Sequence, residues 1–451
     1  MKTPIFDFVK QYAEKDVSRF HMPGHKGIPS PLGCEPMDIT EVMGADVLYA
    51  PDGIIAESEN NAASLFETAH TFYSAEGSSL AIKAMLALAT QGQKNDTRPL
   101  ILAARNAHKA FLYACALLDL DVAWIFPEKE NPPHLCSCVL TPEDVKNALT
   151  GSKIKPAAVY LTSPDYLGQL SDIAGIAEVC HGAEIPLLVD NAHGAYLKFL
   201  NPSLHPMDLG ADLCCDSAHK TLPVLTGGAY LHISKHADPS YLRSAREMLS
   251  LFASTSPSYL ILQSLDLCNA YLADGYREKL TTCVQKVEAA KKTLSEMGFY
   301  IAPSEPLKIV FEAKKFGYTG AELAEHLRAH LVEAEFYDDD ILVLMITPST
   351  RGLDFDRLWE AFATLPKKAP LPLDGTGVPQ GDHVQKISIR EAIFAPRERV
   401  SVKNAAGRIC ATPTVSCPPA IPIAVSGEVI TKTDIALFEH YGIDSVDVVA
   451  E

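Results

Sequence analysis

The sequence predicts an α/β protein: a mostly parallel sheet with helices on both faces, followed by a smaller C-terminal α/β domain. Three observations lead there. Between residues 51 and 275, helical patterns alternate with short apolar runs, as strand–helix–strand units do. Two of these runs, "IPLLVDNAH" and "ADLCCDSAHK", end on an acid and a lysine, Asp190 and Lys220. Buried parallel strands deliver side chains to their carboxyl edge in this way, and ligands of open α/β sheets gather at that edge. Finally, 451 residues at 47% hydrophobic and 21% charged are ordinary globular composition, too long for one compact core and suited to two or three domains.

Taken in order, residues 1–50 read as an arm. A short amphipathic helix comes first, then the Gly/Pro-rich "HMPGHKGIPSPLG", too broken for a regular element. Residues 51–275 form the large domain, with "RPLILAAR", "DVAWIFP", "PAAVYLTS", "IPLLVDNA", "ADLCCDSA" and "GAYLHIS" as its strands. Tyr276 to Met297 is an amphipathic stretch suited to a helix linking two domains, and Gly298 closes it as a C-cap. From residue 299 to the end a smaller domain begins with an α/β module, its strands in "LKIVFEA" and "ILVLMITPS". Asp338 to Asp340 read as a solvated turn before the strand starting at Ile341. "KKAPLPLDGTGVPQGD" has the density of proline and glycine of a loop, and strands and turns follow it.

A net charge of -17 argues against nucleic acid as a partner, which wants a basic face. It speaks first to solubility, and it would also draw a cationic small molecule inward. No apolar run is long enough to span a membrane, and the N-terminus lacks the apolar core and cleavage site of a secretory signal. The eleven cysteines are scattered, without zinc spacing, and read as mostly buried thiols of a reducing cytosol. No metal site is expected.

Asp190-Asn191-Ala192-His193, with Lys220 thirty residues past the aspartate in Ser217-Ala218-His219-Lys220, carries a readable chemistry. A lysine amine can hold the aldehyde of pyridoxal 5'-phosphate (PLP) as a Schiff base. An upstream aspartate can keep the pyridine nitrogen protonated, so that the ring serves as an electron sink. Lys220 must be neutral to attack an aldehyde, which asks for burial or a neighbouring cation. Gly77-Ser78-Ser79 ahead of "LAIKAMLALAT" sets a glycine and two hydroxyls at a helix N-terminus. Free N–H groups and the dipole suit a phosphate there, although the same arrangement also serves as a plain N-cap.

With these residues in view, "DSAHKTLPVLTGGAYLH" resembles the PLP-lysine signature of the Orn/Lys/Arg decarboxylases, which have the aspartate aminotransferase fold. "FHMPGHKG" is similar to that family's N-terminal Pro-Gly-His-Lys segment, "AEGSSLAIKAML" to its phosphate loop and "ARNAHKA" to its Arg-Asn-x-His-Lys block. "LTSPDYLGQLSDI" and "CPPAIPIAVSGE" resemble its Ser/Thr-Pro-x-Tyr-x-Gly and C-terminal Pro-Pro elements. The resemblance implies PLP fold type I with a seven-stranded type of sheet. It implies that His193 stacks on the pyridine face, that Ser217 and His219 contact the phosphate, that His108 lies near the cofactor and that Ser163 lies near the ring oxygen. His25 and Lys26 would reach an active site from the arm, in the same chain or in a partner subunit of a homodimer or larger homo-oligomer.

Two departures stand out. Thr226-Gly227-Gly228-Ala229 replaces the Gln and small hydroxyl residues often found after the lysine, and Cys417-Pro418-Pro419-Ala420 replaces Tyr-Pro-Pro-Gly. The chain also begins at the arm, so the N-terminal wing domain of the larger decarboxylases is expected to be absent. The resemblance implies a cytoplasmic PLP-dependent decarboxylase of a cationic L-amino acid, arginine first, then lysine or ornithine, in polyamine biosynthesis. Transamination, aldol cleavage and elimination share the Asp–Lys pair and stay open at this point, as does a catalytically idle binding protein.

Overall fold

The computed structural model describes residues 1–30, 32–92, 97–127, 135–372, 383–416 and 421–451. Its largest sheet has seven strands: β1 (His70–Ser74), β2 (Leu100–Ala104), β3 (Asp121–Ile125), β4 (Ala158–Thr162), β5 (Leu187–Asp190), β6 (Leu213–Asp216) and β7 (Ala229–Ile233). They lie in the order β1-β7-β6-β5-β4-β2-β3. β4, β5 and β6 run parallel, and β7 is antiparallel to both β6 and β1. β5, β6 and β7 are buried along their whole length, which explains why they read as continuous apolar runs rather than alternating ones. The parallel register aligns Asp190 of β5 with Cys215 of β6, so both chains leave the sheet at the same edge.

The chain divides into two compact units, each assembled from separated segments. Met1–Leu102, Val145–Thr162 and Asp172–Arg277 make the first; Ala103–Asp144, Ser163–Ser171 and Glu278–Glu451 make the second. In the first unit the helix Gly77–Thr90 is buried on nearly every side, with nine apolar residues from Leu80 to Ala89 in the core. It packs against the helix Pro239–Phe252 and against β6 and β7, which fixes its N-terminus. The helix Tyr276–Glu296 follows, and Gly298, at φ +99°, provides the left-handed residue that ends it.

The second unit carries an antiparallel sheet of β8 (Ile301–Ala302), β9 (Lys308–Glu312), β10 (Phe336–Tyr337) and β11 (Ile341–Met345), in the order β10-β11-β9-β8. Phe299, Phe311, Phe316 and Phe362 pack ring on ring against it. Helices beginning at Gly320, Ile389 and Lys432 each start with a reciprocal capping box, at Thr319/Glu322, Ser388/Glu391 and Thr431/Asp434. The Asp338–Asp340 turn is not merely solvated. Asp338 caps the turn through the N–H groups of Asp340 and Ile341, and Asp340 pairs with Lys314 at 2.8 Å and His440 at 3.3 Å. Of the ten cysteines described, nine are buried and Cys34 is half-buried.

Candidate active site

β5 ends by placing Asp190 at 2% exposure. Its Oδ2 accepts from the Tyr160 hydroxyl at 3.2 Å, and its Oδ1 accepts from the Ala192 N–H at 3.1 Å and the Cys215 thiol at 3.5 Å. The turn beyond it carries His193, also buried. β6 ends at Asp216, and the one-turn helix Ala218–Thr221 that follows carries Lys220. Lys220 Nζ lies 3.0 Å from His193 Nε2, so the two strand-end motifs meet through their side chains.

Ser217 Oγ donates to Ser78 Oγ at 2.8 Å and so joins the lysine turn to the first turn of the helix Gly77–Thr90. Gly77 takes φ +71°, with nothing within 4 Å of where a Cβ would stand, and no side chain caps that helix. Ser79 is half-buried beside it. A buried carboxylate, a lysine amine and an uncapped helix N-terminus with serine hydroxyls are the donor set that PLP needs for its ring nitrogen, aldehyde and phosphate. The residues fit the cofactor.

The glycine departure has a structural reason. Gly227 O accepts from the Gly77 N–H at 2.7 Å, and Gly228 O accepts from the His219 N–H at 3.2 Å and from His219 Nδ1 at 3.0 Å. At φ +99° a side chain on Gly227 would be strained, and on Gly228 a Cβ would stand 2.3 Å from Val224 Cγ1. The two glycines thus tie the lysine turn to the helix N-terminus. Burial lowers the His219 pKa, and because Nδ1 donates to the Gly228 carbonyl, Nε2 can donate to an anion only when the ring is protonated.

His108 and Ser163 belong to the second unit. His108 caps the helix Lys109–Leu118, its Nδ1 accepting from the Ala110 N–H, and buried Ser163 accepts from the Ser171 N–H. His25 and Lys26 are held by the arm itself: His25 pairs with Asp38 at 3.2 Å, and Lys26 donates to the His21 carbonyl at 2.6 Å. Cys417 to Ala420 lie outside the described residues.

Several polar residues of note escaped sequence reasoning. In the second unit Arg105 makes a two-pronged pair with Glu428, at 3.1 and 2.9 Å, and lies over the Trp124 ring. Its neighbour Asn106 is buried, with no hydrogen-bond partner for either amide atom among the described residues. In the first unit Asp216 is held by His205, His232 and Asn191. A signal for it existed, because "DNAH" at Asp190 recurs as "DSAH" at Asp216.

The seven-stranded sheet and the donor set at its edge are those of a PLP enzyme of fold type I. The sequence matches the Orn/Lys/Arg decarboxylase major domain over residues 3–348 and the C-terminal domain of the same family over residues 384–441. The chain belongs to that family and is a PLP-dependent amino-acid decarboxylase. It is 30% identical over 461 residues to the uncharacterized protein YaaO of Bacillus subtilis (strain 168), covering 96% of this chain and 93% of that one. It is also 30% identical over 467 residues to the arginine decarboxylase of the same strain, covering 96% and 92%. Among solved structures, the constitutive lysine decarboxylase of E. coli superposes with a TM-score of 0.79 at 16% identity, covering 100% of this chain and 82% of that one. At that identity the likeness speaks for the fold. Among the described residues, no helix is long and apolar enough to cross a membrane.

Proposed function

We propose that this protein decarboxylates a cationic L-amino acid, arginine first, then lysine or ornithine, releasing the amine and carbon dioxide as a cytoplasmic step of polyamine synthesis. The observation that carries the substrate class is the match over 96% of the chain to a relative named arginine decarboxylase. Residues 51–275 would form the PLP-binding domain, 1–50 the arm, 276–298 the linking helix and 299–451 the smaller domain.

In this reading Lys220 holds the cofactor aldehyde and Asp190 keeps the ring nitrogen protonated. His193 faces the ring, and Gly77, Ser78, Ser79, Ser217 and His219 surround the phosphate. The family resemblance assigns His108 and Ser163 to the cofactor as well. When bound, PLP supplies the electron sink that takes up the pair left as the carboxylate departs. The protein's own part is placement and proton handling. Tyr160, Ala192 and Cys215 direct three donors at the Asp190 carboxyl, which fixes the orientation in which it would meet the ring nitrogen. The 3.0 Å between Lys220 Nζ and His193 Nε2 lets a proton pass between them, so either can serve the α-carbon. His25 and Lys26, bound only to arm residues in the described contacts, are assigned to the active site of a partner subunit in a homodimer.

The test is a panel of L-amino acids with PLP, following carbon dioxide and product mass, with citrulline set against arginine. A site built for a guanidinium rejects its neutral isostere, because the pairing carboxylate would be left buried and alone. Comparable kcat/KM for the two would refute the cationic substrate. Borohydride trapping of the cofactor on a lysine other than Lys220 would refute the site.

A further inference from the structure

One residue before Ser217 sits a buried polar cluster that the proposed reaction does not use. Asp216, His205 and His232 are each 0% exposed. Their ligand atoms all lie within 4.8 Å of one another, close enough to raise the question of a metal ion. The hydrogen-bond directions answer it differently. The Met207 N–H donates to His205 Nδ1 at 3.3 Å, which leaves Nε2 to donate to Asp216 Oδ2 at 3.0 Å. His232 mirrors it, with Nδ1 against the Thr71 hydroxyl at 2.9 Å and Nε2 against the same Oδ2 at 3.0 Å. Burial keeps His232 neutral by lowering its pKa.

Asn191 Nδ2 completes the set, donating to Asp216 Oδ1 at 2.7 Å. Burial alone would push the Asp216 carboxyl up; His205 and His232 instead bring it well below the usual carboxylate range. Asp216 is thus a buried anion clamped by three N–H donors from different parts of the chain. One of these is the residue next to Asp190. Asn191 has a single workable orientation, since its oxygen turned toward Asp216 would set acceptor against anion. Its backbone N–H also donates to Cys215 O at 2.9 Å. Gly194 makes room for it: a Cβ there would meet Asn191 Oδ1 at 1.9 Å.

We propose that Asp216, acting through Asn191, is a positioning residue that holds the Asp190 turn and the Lys220 turn in the relative placement PLP requires. This rests on the assignment of Asp190 and Lys220 above. Asp216→Asn leaves the volume unchanged but turns one side of the acceptor into a donor, so at least one of the three N–H groups loses its partner. PLP release should then quicken by about tenfold or more. The reductions in kcat should reach roughly 10- to 100-fold with KM within about twofold, and the pH midpoint of the near-visible cofactor absorbance should move.

The swapped pair Asn191→Asp with Asp216→Asn satisfies the network again. An amide at position 216 then donates to a carboxylate at 191, while its oxygen accepts from both histidines. That variant should recover PLP retention and the absorbance titration. Gly194→Ala, which displaces Asn191 without touching a charge, should reproduce the loss. Thermal unfolding is read on every variant. If Asp216→Asn lowers only the melting temperature and keeps the PLP release rate and absorbance titration of the wild type, the proposal is overturned. If that variant does not fold, wild-type PLP retention in Gly194→Ala overturns it instead. Borohydride trapping separates the two levels of inference. No trap at Lys220 in the wild type refutes the site assignment itself, whereas a trap at Lys220 with unchanged release in the variants refutes only the role of Asp216.

Discussion

Replacing Glu305 by Gln should remove a large part of the pH dependence of the stability of the second unit. Glu305 and Lys308 are buried together, with Lys308 Nζ 3.5 Å from Glu305 Oε1, 3.4 Å from the Asp165 carbonyl and 3.2 Å from the Tyr166 carbonyl. Asp165, also buried, turns its carboxyl to the N–H groups of Leu167 and Gln169. The ammonium pairs with the Glu305 carboxyl and acts on the Asp165 carboxyl through its charge. Burial pushes Glu305 up to about 7 and Asp165 up to about 6, with Lys308 pulling both the other way. The unfolded chain gives up the Glu305 proton near its ordinary 4.5, whereas the folded chain keeps it to about 7. Between those values the folded state binds more protons, so stability falls as pH rises. It is highest below the unfolded pKa and lowest above the folded one. At about 1.4 kcal/mol per tenfold change in proton affinity, a rise from 4.5 to about 7 is worth roughly 3 kcal/mol. Both tryptophans, Trp124 and Trp359, belong to this unit, so urea unfolding followed by tryptophan fluorescence reads it directly. From about pH 5 to about pH 8 the wild type should lose stability faster than Glu305→Gln, which keeps only the Asp165 share of the slope. Curves that stay a constant distance apart over that range would show that Glu305 does not change its ionisation there.

Further outcomes follow from the same contacts. Lys220→Ala should lose turnover together with the near-visible cofactor absorbance, both read on the PLP-loaded protein. Asp190→Asn should keep PLP bound and lower kcat by several orders of magnitude, with Asp190→Glu losing less, since an amide cannot hold the ring proton. Arg105→Met leaves Glu428 buried without its cation, and thermal melts followed by circular dichroism should show a loss of about 3–5 kcal/mol. Sedimentation should find the active species to be at least a dimer; a fully active monomer would remove the reason for sending His25 and Lys26 to a partner subunit.

How much of this was legible beforehand depended on the kind of signal. Six strands of the large sheet were readable because each is an apolar run bounded by polar or turn residues. β1 was not, because "HTFYS" spreads two polar hydroxyl residues and a histidine among its apolar ones and runs straight into "AEGSS". Only its pairing with β7, Phe72 opposite Leu231 and Tyr73 opposite Tyr230, makes a strand of it. The division of the chain was equally hidden, since 103–144 and 163–171 return to a unit whose main body starts at Glu278. Periodicity reports local burial and carries no record of which distant segment provides it.

The polar residues follow the same rule. Asp190 and Lys220 could be found because their chemistry and their place at strand ends coincide within a dozen residues. Arg105 and Glu428 stand 323 positions apart, and nothing local to either residue marks it as half of a pair. Glu305 and Lys308, three apart, look like a surface pair, and only the burial of both makes them a titrating one. Asp216 is intermediate. Its sequence echo of Asp190 was visible, but the same type of acid at the end of the neighbouring strand has different partners. Asp190 accepts from a tyrosine hydroxyl, a backbone N–H and the Cys215 thiol, whereas Asp216 accepts from two histidines, an asparagine and the Cys214 thiol. Asp216 carries two imidazole nitrogens on one oxygen and an amide on the other, whereas Asp190 adjoins the turn that carries His193, so the repeated motif divides into one residue turned to the chemistry and one turned to holding it in place.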